Sequence, residues 1–185
     1  MSADDTSSKF EQTLLPHLDA AYNLARWLTA SEHDAQDVTQ EAYLRALTFF
    51  AAQRGANPRA WLLTIVRNTC FTWLQKNRRG EVSAPISPDD LMDSGTTALN
   101  PEVLAMRHAD RQLVRQAIEE LPVEFREVIV LREMEELSYK EIGEVAGIPL
   151  GTVMSRLARA RAQLEQNLAP RGGESKQDKG SGRGM

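Results

Sequence analysis

Residues 138–164, SYKEIGEVAGIPLGTVMSRLARARAQL, constrain this chain more than any other stretch. Ser138 and Glu141 stand at the spacing of a capping box, in which each side chain satisfies an orphan N–H at a helix start. Gly147 stands where a helix should close in a left-handed residue. Pro149 favours an extended approach to a second helix. There Val153, Leu157, Ala160 and Leu164 recur at spacings of four, three and four, so they share one buried face. Thr152, Ser155 and Arg159 fall opposite, with Arg156 and Arg161 on the flanks. The pattern predicts a helix-turn-helix whose second helix hides aliphatics and presents hydroxyls and guanidiniums, as major-groove reading with phosphate anchoring requires. An ordinary amphipathic helix with a solvated charged face would show the same periodicity, so the remainder of the chain must discriminate.

The charge distribution does so. The net charge of −4 over 185 residues is unpromising for a nucleic-acid binder. It is nevertheless partitioned. Residues 1–41 hold eight acids and two bases, a net of −6, whereas 42–80 hold seven bases and no acid, a net of +7. Residues 81–99 are −4, 100–149 are −5, 150–171 are +3 and the tail adds +1. Charges interact over about 8 Å at physiological salt, so the two basic islands matter more than the total. The acidic stretches discourage indiscriminate DNA binding and suit a basic protein partner.

Composition excludes several classes. One cysteine, Cys70, forbids an internal disulfide or a Cys-rich zinc site. His17, His33 and His108 lack ligand spacing, so no metal or cofactor is expected. No apolar run is long enough to span a bilayer, and the acidic, polar N-terminus argues against a secretory signal. A cytoplasmic protein is expected. No nucleophile–base pair or phosphate-binding glycine loop is apparent, and Cys70 falls on an apolar helix face, where a packed thiol is expected. The chain therefore reads as a non-enzyme.

The organisation is all-α. Pro16 can open a helix carrying Leu18, Ala21, Tyr22, Ala25 and Leu28 on one side. Ser31 caps the next, with Ala35, Val38, Ala42, Ala46 and Phe49 inward. Asn57-Pro58 starts a third, long helix, in which Leu62, Val66, Cys70 and Trp73 pack inward and Thr64, Asn68 and Thr72 form a polar stripe. Residues 80–99 are rich in Gly, Pro, Ser and acids and read as a flexible linker. About twenty residues of coil span roughly 25 Å. Further helices are expected over 101–120, 122–134, 138–146 and 149–168, and the glycine-rich tail, 169–185, as disordered. Two small helical domains, 8–79 and 100–168, follow.

Three motifs in order now carry a resemblance: HDAQDVTQEAYLRAL, NPRAWLLTIVRNTCFTWLQKNRR, and LPVEFREVIVLREMEELSYKEI running into GTVMSRLARAR. Over nearly all of 8–168 the chain resembles a group 4, extracytoplasmic-function (ECF) sigma factor of the sigma-70 family. The resemblance implies a sigma2-like helical bundle that binds core RNA polymerase and the −10 promoter element. It further implies a sigma4-like helix-turn-helix domain that binds the −35 element, together directing transcription initiation at a stress or envelope-response regulon. It implies as partners promoter DNA, the clamp helices of the polymerase's largest subunit, the flap of the second-largest, and an anti-sigma factor, without membrane insertion.

Site residues follow from that resemblance. Asp34, Asp37, Gln40, Glu41 and Arg45 form a surface suited to a basic coiled coil. Extracting a base from the stack costs a few kcal/mol, which stacking faces, amides and positive charge must offset. Gln53, Arg54 and Asn57 lie in the loop that would receive such a base, with Phe50 and Trp61 near in sequence. Thr64, Arg67, Asn68, Arg78 and Arg79 extend the −10 set. Trp61 and Trp73 equally suit a plain core role, and Arg78-Arg79 a solubilising helix end. For the −35 element the set is Thr152, Ser155, Arg156 and Arg159, with Arg161 on phosphate. Met154 and Ala158 are apolar where many family members carry larger or charged residues, and an AAC-containing −35 element is the family's frequent preference. Two other functions stay open: a dimeric operator-binding regulator, which leaves 34–79 unused, and a sigma mimic that sequesters an anti-sigma factor.

Overall fold

The computed structural model describes residues 3–52, 55, 57–77 and 101–169, with side chains from 8 in the first half and from 106 in the second. The linker 80–99, the tail from 170, and Gln53, Arg54, Arg78 and Arg79 lie outside the described residues. Eight α-helices and no strand occur among those described: α1 Ala3–Leu14, α2 Leu18–Thr29, α3 Glu32–Phe49, α4 Pro58–Asn77, α5 Pro101–Glu119, α6 Val123–Ile129, α7 Tyr139–Ala146 and α8 Leu150–Leu168.

Local chemistry sets most boundaries. The Ser31 hydroxyl accepts from Asp34 N–H at 3.3 Å and so caps α3. Asn57 Oδ1 accepts from Ala60 N–H at 3.0 Å, and Pro58 opens α4 with the ring-fixed φ that a first helical turn wants. Both halves of the Ser138–Glu141 capping box are formed, and Gly147 closes α7 at φ 67°. A Cβ on Gly143 would stand 3.0 Å from the Ile148 carbonyl, so this glycine permits the tight turn between α7 and α8.

Three details differ from expectation. A helix precedes Pro16: the polar segment α1 is held by Phe10 and Leu14, both buried, because tertiary anchoring outweighs weak amphipathicity. Pro16 itself sits in a 3-10 turn, Leu15–His17, and α2 starts after it. Phe49 is exposed, and its neighbour Phe50 turns inward, its ring 5.2 Å from that of Phe10 at 89°.

Helices α2, α3 and α4 pack on one another, with α1 against α4. Leu24, Leu28, Val38, Leu62, Leu63, Val66 and Cys70 fill that core. In the second half α6, α7 and α8 pack together around Leu131, Leu137, Ile142, Val153 and Leu157. Helix α6 ends in a π-helical turn, Val130–Met134, closed by the Glu135 N–H to the Val130 carbonyl at 3.1 Å. The two modules are not apart: α4 packs on α7 and α2 on α6. This explains why α4 is apolar over most of its girth.

Burial, reinforced by nearby Glu127, pushes the Cys70 thiol up to about 12. Ellman's reagent should therefore leave Cys70 unmodified in the native protein and react fully in denaturant; fast native reaction would contradict this packing. Gly147→Ala meets no atom within 4 Å, so only backbone strain opposes it. Urea unfolding should show a loss of about 1 kcal/mol.

Candidate nucleic-acid interface

Helix α8 turns as its periodicity requires. Val153, Leu157 and Ala160 are buried, while Ser155, Arg159 and Arg161 are exposed and Thr152 and Arg156 half-buried. The Ser155 hydroxyl donates to the Thr152 carbonyl at 3.1 Å. Arg161 Nη2 lies 2.8 Å from Glu133 Oε1 in the π-helical turn, and bonding to Glu133 and then Tyr139 holds its proton more firmly than usual. Arg156 leans inward, its Nη1 3.9 Å from Glu127 Oε2. Met154 and Ala158 are exposed beside Ser155 and Arg159.

The residues of α4 divide. Asn68 is exposed, and its Oδ1 accepts from Arg67 Nη1 at 3.3 Å. The half-buried Thr64 donates its hydroxyl proton to the Ala60 carbonyl at 2.8 Å. Asn57 caps α4 and donates through Nδ2 to Glu141 Oε1 at 2.9 Å. Arg67 lies over the Phe71 ring at 4.0 Å and donates through Nε to Glu127 Oε1 at 2.5 Å. Trp61 and Trp73 are half-buried against the core, and the Phe50 ring expected near an unstacked base is instead within it.

On α3 the expected protein-binding residues share a surface. Asp37, Gln40 and Glu41 are exposed. Arg45 pairs with Glu41 one turn away, and His33 Nε2 lies 3.5 Å from Asp37 Oδ2. Asp34 serves chiefly as the third residue of the helix, its N–H taken by Ser31. A groove between α2 and α3, lined by Leu18, Tyr22, Thr39, Gln40 and Tyr43, adjoins this surface. Sequence reasoning missed the apolar part of the α3 surface outside the groove, where Leu44 and Leu47 are 67% and 46% exposed. Their positions four and seven residues after Gln40 carried the signal.

Also missed was a row of carboxylates facing α4. Glu135 Oε2 lies 2.7 Å from Arg59 Nη2, and its Oε1 accepts from Asn23 Nδ2 at 2.6 Å. Glu127 is wholly buried; burial raises its carboxyl above the usual range, against the hydrogen bond and charge of Arg67. These acids come from α6, the segment after it and α7, so no single periodicity links them.

The chain matches the family described as Sigma-70 region 2 over residues 14–80 and Sigma-70, region 4 over residues 111–164. It is 34% identical over 171 residues to an ECF RNA polymerase sigma factor, SigE, of Mycolicibacterium smegmatis, covering 91% of this chain and 65% of that protein. It is 35% identical over 143 residues to the ECF RNA polymerase sigma-E factor of Escherichia coli, covering 74% and 75%. The sigma factor RpoE solved with the anti-sigma factor NepR from Bartonella quintana superposes at a TM-score of 0.70 with 28% identity, over 86% of this chain and 96% of that one. CnrH solved with the cytosolic domain of CnrY superposes at 0.62 with 25% identity, over 88% of each.

Arg67→Met removes the nearer cation from Glu127 and leaves Arg156 at 3.9 Å. A carboxyl whose pKa is raised on folding costs stability in full above that pKa, and the cost shrinks as pH falls from there to the ordinary carboxylate value. Urea unfolding of the variant should show a loss of about 2 kcal/mol at neutral pH. The deficit should shrink on acidification into the carboxylate range; a growing deficit would contradict a strained, ionised Glu127.

Proposed function

The chain belongs to the extracytoplasmic-function branch of the sigma-70 family, and on that basis we propose that it is a promoter-recognition subunit of bacterial RNA polymerase. The observation that carries this reading is the pairing, in one chain and in family order, of a region 2 match with a region 4 match. The region 4 helix keeps its reading face open at Ser155 and Arg159. In this reading the protein binds core polymerase, which performs the catalysis; the chain supplies recognition and strand separation and is no enzyme. It works in the cytoplasm, where polymerase is; no described helix is long and apolar enough to cross a membrane.

The division of labour follows from the side chains. Asp37, Gln40 and Glu41, with Leu44 and Leu47 between them and the helix end, offer an acidic rim around apolar contact, suited to the basic clamp helices of the largest subunit. The second module takes the flap of the second-largest subunit. Asn68 offers a paired donor and acceptor to an extracted −10 base, and Arg67, Arg78 and Arg79 are assigned to phosphates. Ser155 and Arg159 read −35 base edges, and Thr152, Arg156 and Arg161 fix the helix on the backbone. An anti-sigma factor of the kind bound to the solved relatives is the proposed regulator, released under stress.

Run-off transcription with purified core polymerase tests the reading. Initiation should depend on this protein; operator binding without polymerase, and no initiation, would favour a dimeric regulator. Arg159→Ala should weaken −35-dependent binding of the holoenzyme by about 1–3 kcal/mol and leave core affinity unchanged. Asp37→Ala combined with Gln40→Ala should do the reverse, lowering core affinity in a pull-down titration. Equal loss of core affinity in Arg159→Ala would count against the assignment.

A further inference from the structure

We infer that Met154 and Ala158 read thymine C5-methyl groups in the −35 element, so that methyl contact beside one guanidinium sets this protein's promoter preference. This rests on reading α8 as the −35 helix. Met154 is 54% exposed, and Ala158 is exposed one turn later, beside Ser155 and Arg159. Neither joins the buried face of Val153, Leu157 and Ala160. Just before Met154, a Cβ on Gly151 would meet nothing within 4 Å. The first turns of α8 therefore present an open, shallow surface, at the end from which a recognition helix reaches base edges.

The polar groups of α8 are largely engaged within the second module. Arg156 places Nη1 3.9 Å from buried Glu127, and Arg161 donates to Glu133 at 2.8 Å. Both acids belong to the second module, so neither pairing depends on the first. The Ser155 hydroxyl gives its proton to the Thr152 carbonyl at 3.1 Å and has only lone pairs to offer a base. Arg159 is exposed and is the guanidinium best placed to read one. One cation and one acceptor hydroxyl specify few base pairs by hydrogen bonding, and the rest of this surface is apolar.

Among base edges in the major groove, thymine alone presents a methyl group. Cytosine presents an amine there and no methyl, so an apolar side chain buries the first and leaves the second without a partner. Met154 suits this contact because its unbranched, polarizable side chain adapts to the groove. Helix α8 carries three arginines and no acid before Glu165, which complements a polyanion. Four helical residues rise about 6 Å, close to two base-pair steps of about 3.4 Å. Met154 and Ala158 thus meet thymines about two base pairs apart, with a guanine for Arg159 beside the second.

The experiment uses the full chain with core polymerase. Run-off transcription from a promoter library randomised across both elements selects the preferred −35 sequence. That site is then rebuilt with each thymine replaced in turn by deoxyuridine, which removes the methyl and keeps every hydrogen-bonding group. Anisotropy gives holoenzyme affinity for each labelled duplex, for wild type, Met154→Ala and Met154→Leu. Circular dichroism checks folding, and the exposure of Met154 makes both variants tolerable.

The expected result is a selected site containing thymine, where deoxyuridine weakens wild-type binding about fourfold, or about 0.8 kcal/mol, per contacted methyl. At one position the ratio should fall to about one in Met154→Ala and return in Met154→Leu. A selected site without thymine, or no deoxyuridine effect in wild type, overturns the inference. An effect of equal size in Met154→Ala also overturns it and assigns the preference to DNA shape. Loss of core affinity in Met154→Ala with an unchanged deoxyuridine ratio overturns it in favour of a protein contact. If no library member is transcribed, the promoter-subunit reading itself fails; transcription without methyl dependence refutes this inference alone.

Discussion

A carboxylate with no access to water must be answered by cations, and the arrangement of this molecule turns on how Glu127 is answered. Its partners are not local. One guanidinium comes from α4, some sixty residues earlier in the chain, and the other from α8. Hydrating Glu127 would require pulling the modules apart, which would part it from Arg67, whereas its contact with Arg156 lies within the second module. Glu135 repeats the device with Arg59 and Asn23, both from the first module. The seam is apolar for the most part, and the carboxylates set within it fix which donors of the first module they meet.

Around that seam each module is conventional in its physics. The helix-turn-helix is specified by local chemistry at nearly every step. A capping box starts α7, a left-handed glycine ends it, and a second glycine lets the Ile148 carbonyl approach. Aliphatics at spacings of four and three then roll α8 onto the core. The first module leans more on packing. Helix α1 has little helical bias of its own and is kept by Phe10 and Leu14. Phe10 in turn meets Tyr43 at 5.0 Å and Phe50 at 5.2 Å, a small aromatic cluster that draws Phe50 inward and leaves Phe49 outside.

Legibility follows the same division. Wherever a residue's role depends on neighbours within a turn or two, its place was readable: Ser31, Asn57, Ser138, Gly147, and the buried face from Val153 to Ala160. The exposed positions of Asp37, Gln40, Asn68, Ser155 and Arg159 were readable for the same reason, since they lie opposite those faces. The choice between Phe49 and Phe50 was not, because adjacent aromatics satisfy the period almost equally and α1, across the core, decides. The orientations of Arg67 and Arg156 were not readable either. A flank position permits a long side chain to reach solvent, DNA or a neighbouring element, and periodicity cannot choose among them.

The order of residues, by itself, determined an all-α chain of two modules, the helix-turn-helix with its outward hydroxyls and guanidiniums, and the separation of charge into basic and acidic stretches. It did so because caps, glycines and three-to-four periodicity act over one or two turns. Only the tertiary structure decided that the modules close on each other, and that Glu127, Glu135 and Glu141 become partners of Arg67, Arg59 and Asn57. Those pairs join residues 60 to 84 positions apart. Attraction between charges depends on distance in space, and that distance exists only once the helices have packed.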